Sequence, residues 1–109
     1  MRIQLKGRGS ATTDEELLSR IEKKLEKVAR QVSPLAECTI ELREVRGEQV
    51  AAGALKLKGV TLRAHETGSD ATHALNLVAD DLARQVKKHR DKRRGRREAQ
   101  RAAAQEHAV

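Results

Sequence analysis

The fold of the chain is decided by residues 60–90, which read VTLRAHETGSDATHALNLVADDLARQVKKHR. Val60, Leu62 and Ala64 alternate with polar residues, a pattern typical of a half-buried strand. Gly68-Ser69-Asp70 then break the strand and supply a helix cap. The helix that follows has a buried stripe of apolar residues at helical spacing. These are Ala71, Leu75, Val78, Leu82 and Val86. This stretch therefore predicts a strand followed by an amphipathic helix.

A strand and a long helix are predicted upstream. In residues 2–6, Ile3 and Leu5 alternate with polar residues, as in a half-buried strand. Thr13-Asp14-Glu15-Glu16 reads as a capping box that starts a helix, and Ser33-Pro34 ends it because proline disfavours helical geometry in the residue before it. One continuous apolar stripe runs along this helix. It consists of Leu18, Ile21, Leu25, Val28 and Val32.

Two further strands lie between the helices. Alternation predicts one over residues 38–43 and, after a turn at Arg46-Gly47-Glu48, another over about residues 50–58. The order β-α-β-β-β-α predicts an α+β two-layer sandwich, with a four-stranded mixed sheet and both helices on one face. The first helix is long enough to cross over between parallel strands. The other sheet face is predicted to be wet and to carry Arg2, Gln4, Lys6, Thr39, Glu41, Arg43, Thr61 and Arg63.

Composition limits the classes of protein that are possible. The chain has 109 residues, which predicts one domain, and no apolar run approaches the ~20 residues that span a bilayer. Its single cysteine, Cys38, excludes an intramolecular disulfide and fits a reducing cytoplasm. With no Phe, Tyr or Trp, the chain cannot bind nucleic acid by stacking bases on aromatic rings.

The net charge of +7 is concentrated at one end. Residues 1–83 carry 13 basic and 13 acidic side chains, whereas residues 84–109 carry 10 basic and three acidic ones. A neutral body with a basic end indicates an anionic polymer as partner. The alternative is a solvated helix end, since cations near a helix C-terminus are favourable in any case.

On the second predicted helix, Arg84 and Lys88 point outward and Lys87 flanks them. Asp80 and Asp81 can pair back with Arg84, but the six cations from Lys87 to Arg94 have only Asp91 among them. Repulsion between such close like charges destabilises a helix unless phosphates or salt neutralise it. Gly95 predicts fraying near Arg94, which divides the chain into a domain over 1–94 and a basic, Ala- and Arg-rich flexible or helical tail over 95–109.

Residues 62–70 (LRAHETGSD) and 76–90 (NLVADDLARQVKKHR) closely resemble the ribosome hibernation-promoting factor family, which includes ribosome-associated inhibitor A. Residues 3–8 (IQLKGR) and 22–28 (EKKLEKV) look like the first strand and helix of the same family. The resemblance covers roughly residues 1–92. Family members usually carry a Tyr early in each helix, and here the corresponding regions have Thr72-His73 and Arg20.

The resemblance implies a non-catalytic, cytoplasmic factor that binds the small ribosomal subunit in the tRNA and mRNA (decoding) channel and inhibits translation by occlusion. It implies a monomer with no cofactor, no membrane and no small-molecule substrate. Lys and Arg suit contacts with rRNA phosphates, which give affinity without reading bases. The predicted rRNA-binding residues are Arg8, Arg63, Arg84, Lys87, Lys88, Arg90, Lys92, Arg93 and Arg94.

Two other classes of function are considered. A stand-alone binder of double-stranded RNA or DNA could use a similar sheet-plus-helices shape. An enzyme or metal site could use the histidines, but no metal-binding spacing links them to one another or to Cys38. These histidines are His65, His73, His89 and His107. Cys38 alternates with Ile40 and is interpreted as a small buried hydrophobic residue.

Overall fold

The computed structural model describes residues 1–8 and 14–107, with the side chains of residues 1–8 and 14–92. Its elements follow one another in the order β-α-α-β-β-β-α. They are β1 (Arg2–Arg8), α1 (Glu15–Lys24), α2 (Glu26–Gln31), β2 (Glu37–Val45), β3 (Glu48–Leu57), β4 (Val60–Gly68) and α3 (Ala71–His107). The predicted α+β class is confirmed.

The four strands form one mixed sheet in the order β1-β2-β3-β4. β1 runs parallel to β2, and the other two pairs are antiparallel. Val45 pairs with Glu48, so the β2–β3 turn contains only Arg46 and Gly47, with φ of 53° and 80°. Positive φ at both positions defines the type I′ turn, whose twist matches that of the strands it joins.

The helices cover one face of this sheet, as predicted. Ile40, Leu42 and Leu55 in the central strands are fully buried (0% exposed) under α1, α2 and α3. The apolar stripes of the helices complete a single core cluster. The fully or nearly fully buried members from the helices and from the junction of α1 and α2 are Ile21, Leu25, Val28, Ala74, Leu75, Val78, Ala79, Leu82 and Val86. The opposite face of the sheet has no helix against it among the described residues.

The prediction of one continuous first helix is wrong in one respect, because the helix is interrupted at Leu25. This residue has φ −91° and ψ 6°, so α1 ends before it and α2 begins after it. Its N–H still donates to the Ile21 carbonyl (2.9 Å) and its carbonyl still accepts from Ala29 N–H (2.8 Å). The apolar stripe therefore continues across the break. Apolar spacing reports which residues face the core, not the backbone angles of one residue.

The ends of the helices also differ from the prediction. The N-cap of α1 is Asp14, whose Oδ1 accepts a hydrogen bond from Leu17 N–H (2.8 Å), and Thr13 lies outside the described residues. α3 does not end near Arg94 but continues through Gly95 to His107. The residues after Gly95 are rich in Ala and Arg, strong helix formers that offset the ~1 kcal/mol cost of one glycine. Within the described chain, no helix is both long and apolar enough to cross a membrane.

Candidate nucleic-acid interface

The position of α3 is set at its first turn, where the chain leaves β4. Asp70 caps the helix: its Oδ1 accepts from His73 N–H (2.7 Å) and its carbonyl accepts from Ala74 N–H (3.1 Å). Gly68 lies so close to this turn that a Cβ on it would stand 2.6 Å from the Ala74 nitrogen. The absence of a side chain at Gly68 therefore allows α3 to begin directly against the end of β4.

Burial of one stripe of α3 forces its charged residues outward. Leu82 and Val86 are 0% and 2% exposed in the core. At 100° per residue, Arg84 and Lys88 lie 200° around the helix from Leu82 and Val86, respectively. The structure shows both as exposed, together with Lys87. The predicted outward orientation of these three cations is confirmed.

The two aspartates of α3 have different partners. Asp81 lies 3.8 Å from Arg84 Nη2, the i,i+3 pair that the sequence predicts. Asp80 does not pair with Arg84: its Oδ1 contacts Lys24 Nζ on α1 at 3.2 Å. The prediction for Asp80 was wrong because sequence spacing shows neighbours on the same helix but not those on a helix packed beside it.

Four cations further along α3 have no acidic partner among the residues whose side chains are described. They are Lys87, Lys88, Arg90 and Lys92. All four are exposed, so water alone solvates their charges. The side chains of Arg93 and Arg94 lie outside the described part. A cluster of exposed cations without counter-charges can meet anionic groups without first breaking an ion pair.

Arg63 lies next to α3, although it belongs to the sheet. Its backbone carbonyl accepts a hydrogen bond from Gln85 Nε2 at 2.6 Å, which ties the outer strand β4 to the helix. Lys88 and Lys92 follow Gln85 by three and seven residues and therefore share its flank of α3. The Arg63 side chain is exposed on the open face of the sheet. The structure thus places the backbone of Arg63 beside α3, but its side chain lies on the sheet face opposite the helix.

Arg8 lies apart from the other predicted site residues. It ends β1, at the opposite edge of the sheet from β4, which is about 14 Å across three strand spacings. Its Nη1 contacts Glu41 Oε1 at 3.4 Å, so part of its charge is already compensated. In the strand register Arg8 pairs with Arg43 on the open face.

The open face holds further cations that were not among the predicted site residues. The strand register places them there, with Glu37 and Glu41 between them. They are Arg2, Lys6, Arg43 and Lys56. Period-2 alternation in the sequence indicated most of them, but only the strand register shows which residues of the neighbouring strands lie beside them.

The residues considered for other chemistry are scattered or buried. Among the described residues, no three His, Cys, Asp or Glu side chains stand close enough to hold a metal ion. Burial raises the pKa of the Cys38 thiol from 9.0 to about 11. The thiolate is the reactive form of cysteine, so this environment does not activate Cys38 as a nucleophile.

Comparison with known proteins assigns the family. A family model described as Sigma 54 modulation protein / S30EA ribosomal protein matches residues 3–94. The N-terminal domain of Protein Y from Thermus thermophilus is 27% identical, with a TM-score of 0.72 over 82% of this chain and 99% of that one. A ribosomal subunit interface protein from Coxiella burnetii shares the fold, at 23% identity and a TM-score of 0.70 over 84% and 99% of the two chains.

No curated protein matches the chain in sequence. The family model nevertheless extends over most of its length, including β1, the sheet and the basic part of α3. It confirms the resemblance that was stated from the strand-to-helix segment. The chain therefore belongs to the Sigma 54 modulation protein / S30EA ribosomal protein family.

Proposed function

We propose that this protein binds the small ribosomal subunit in the channel for tRNA and mRNA, and that it inhibits translation by occupying that space. The description of its family names a ribosomal protein, which supports the ribosome as partner. The resemblance to hibernation-promoting factors supports the small subunit and the decoding channel. The function requires binding only, and the family is one of ribosome-associated factors and not a known enzyme family.

The observation that carries this proposal is the exposed, unpaired charge of α3. Lys87, Lys88 and Arg90 lie within one helical turn and have no acidic partner among the described side chains. Lys87 and Arg90 are i,i+3 neighbours, and like charges at that spacing cost a helix ~0.2–0.5 kcal/mol per pair. Phosphate oxygens of rRNA remove that repulsion on binding and release condensed counterions, which adds affinity. Lys92 extends this surface along α3, and the predicted contact Arg63 would add a separate cation on the open face of β4.

The boundaries of the binding unit follow from the same reasoning. We propose that residues 1–94 bind the ribosome as one domain and that residues 95–109 form a separate basic tail, which continues α3 up to His107. The family model ends at residue 94, which supports this division. We further propose that the free protein is monomeric, needs no cofactor and acts in the cytoplasm, where ribosomes translate.

The test is co-sedimentation with purified small subunits at increasing salt, together with inhibition of translation in vitro. The variant Lys87→Glu/Lys88→Glu/Arg90→Glu should lose both activities. Log affinity falls linearly with log salt concentration. Each lost phosphate contact makes this dependence less steep by about 0.7–0.9, so three lost contacts make it less steep by roughly 2–3.

The matched control is Lys23→Glu/Lys27→Glu/Arg46→Glu, which changes the net charge equally at exposed positions away from the basic part of α3. It should keep most of the binding. If the α3 variant binds and inhibits like the unaltered protein, this surface is not the ribosome-binding site. Equal affinity of the unaltered protein for plain RNA duplex and for subunits would favour the stand-alone duplex binder instead.

A further inference from the structure

A rigid turn before β2 holds a large apolar side chain out in water. Ala36 N–H donates to the Ser33 carbonyl (3.0 Å), and Leu35 N–H donates to Ser33 Oγ (3.1 Å). Pro34 occupies the second position of this turn, where its fixed φ is favoured. Leu35 follows it and is 90% exposed, the highest value among the large hydrophobic residues described as exposed. The turn therefore presents Leu35 in a defined position.

Beside this turn lies a cavity of about 550 Å³. It is bounded by the end of α2, the β3–β4 turn and the part of α3 around Val86. Its volume falls within the ~300–1,000 Å³ that is usual for small-molecule sites in proteins. Much of its wall is apolar. The apolar residues are Val32, Leu35, Ala36, Leu57 and Val86.

Among the polar residues that line the cavity, cations outnumber carboxylates. Lys58 and Arg90 line it and are exposed, and Lys56 and Glu37 border it from the sheet with their side chains in the register of the open face. The other polar lining residues are Gln31, Ser33 and His89. An apolar wall with a net positive rim is complementary to a ligand that has a flat or apolar body and a negative charge.

Arg90 connects this cavity with the basic surface of α3. It lines the cavity and follows Lys87 by three residues, about 60° from it around the helix, whereas Lys88 points to the other side of α3. A polyanion bound along α3 therefore passes the mouth of the cavity. A nucleotide of that polyanion offers both an apolar base and a phosphate, whereas an acidic peptide has no reason to be continuous with a phosphate-binding helix.

We propose that this cavity receives one unstacked base of the RNA strand that binds α3. The inference rests on the proposed function, since ribosomal RNA supplies the strand. The base lies against Leu35 and Leu57, and its phosphate meets Lys58 and Arg90.

The decisive experiment places a photo-crosslinker in the turn. Leu35→p-benzoylphenylalanine is compatible with folding because the side chain is 90% exposed. The matched control is Val45→p-benzoylphenylalanine, since Val45 is also apolar and exposed (42%) but ends β2 at its far end from the turn. Each protein is bound to purified small subunits and irradiated, and crosslinks are mapped on rRNA and on ribosomal proteins.

We expect the Leu35 probe to crosslink to a single rRNA nucleotide that the Val45 probe does not reach. We also expect Leu35→Glu to weaken subunit binding about tenfold, the size of one lost apolar contact, while Val45→Glu does not. A crosslink mainly to a ribosomal protein, or none from a protein that still sediments with subunits, overturns the inference and leaves the proposed function intact. Failure of the unaltered protein to sediment with subunits overturns both.

Discussion

Gly68→Ala tests how the sheet positions the basic helix. Gly68 is buried at the end of β4, and its φ is not in the positive range, so space and not backbone conformation requires glycine there. An added Cβ would stand 2.6 Å from Ala74 N, 3.0 Å from Ala74 Cα and 3.1 Å from His73 C. All three are backbone atoms of the first turn of α3, and none can rotate away as a side chain does.

The expected loss of stability follows from these distances. Ordinary contact begins near 3.4 Å, so Ala74 N must retreat by 0.8 Å from its 2.6 Å separation. Overpacking of this kind costs about 1–3 kcal/mol, and replacing glycine in the unfolded chain returns about 0.4–1 kcal/mol. We therefore expect a net loss of about 1–2 kcal/mol, which lowers the Tm of a domain of this size by roughly 4–16 °C.

The measurement is thermal and urea unfolding followed by far-UV circular dichroism. Gly53→Ala is the matched control, because its added Cβ would meet side-chain atoms, Val78 Cγ1 at 2.8 Å and Leu82 Cδ1 at 3.3 Å. Leu82 can rotate, and Val78 can give way only by a small shift of its side chain, which still disturbs the fold less than a shift of the helix backbone, so Gly53→Ala should cost less than Gly68→Ala. An unchanged Tm for Gly68→Ala, or a larger loss for Gly53→Ala, would refute the idea that β4 and α3 touch backbone to backbone.

Three other predictions concern stability. Asp70→Ala removes the side-chain cap that accepts from His73 N–H and should lower the free energy of unfolding, measured in urea, by about 1 kcal/mol. Asp70→Asn keeps an acceptor oxygen there and should retain most of that stability. Because burial raises the Cys38 pKa to about 11, the unfolded thiol ionises first, and stability should fall by up to about 2–3 kcal/mol between pH 9 and 11 in the unaltered protein relative to Cys38→Ala. Lys24→Met breaks the exposed contact with Asp80 and should lower the free energy of unfolding by less than about 1 kcal/mol. A larger loss would contradict the assignment of this contact as an ordinary exposed ion pair.

Most of the fold could be predicted because its signals are local. Alternation identified the strands, and helical spacing identified the stripe from Leu75 to Val86 that packs on the sheet. The Arg46-Gly47 turn was also marked by its glycine. The break at Leu25 could not be predicted, since one residue changes its backbone angles while the apolar stripe stays in phase.

The candidate site was only partly predictable because it combines local and distant parts. The cations of α3 follow from helix periodicity alone, whereas the closeness of Arg63 depends on the Gln85 hydrogen bond between two elements. Arg8 was grouped with them by family resemblance, and only the strand order shows that it lies at the other edge. The cavity at Leu35 had no sequence signal, since an exposed leucine after a proline reads as an ordinary turn.

Because β1 pairs in parallel with β2, the two edges of the sheet form at different stages of folding. β2, β3 and β4 are joined by two-residue turns, whereas β1 reaches β2 only after the chain from residue 9 to residue 36 has closed a long loop. Loop closure over that length costs entropy that the hairpins do not bear. We expect β1 to dock last and to detach first, so that its amides exchange with deuterium well before those of β3. β1 is thus an edge strand that can detach while β2, β3 and β4, which form early, stay paired.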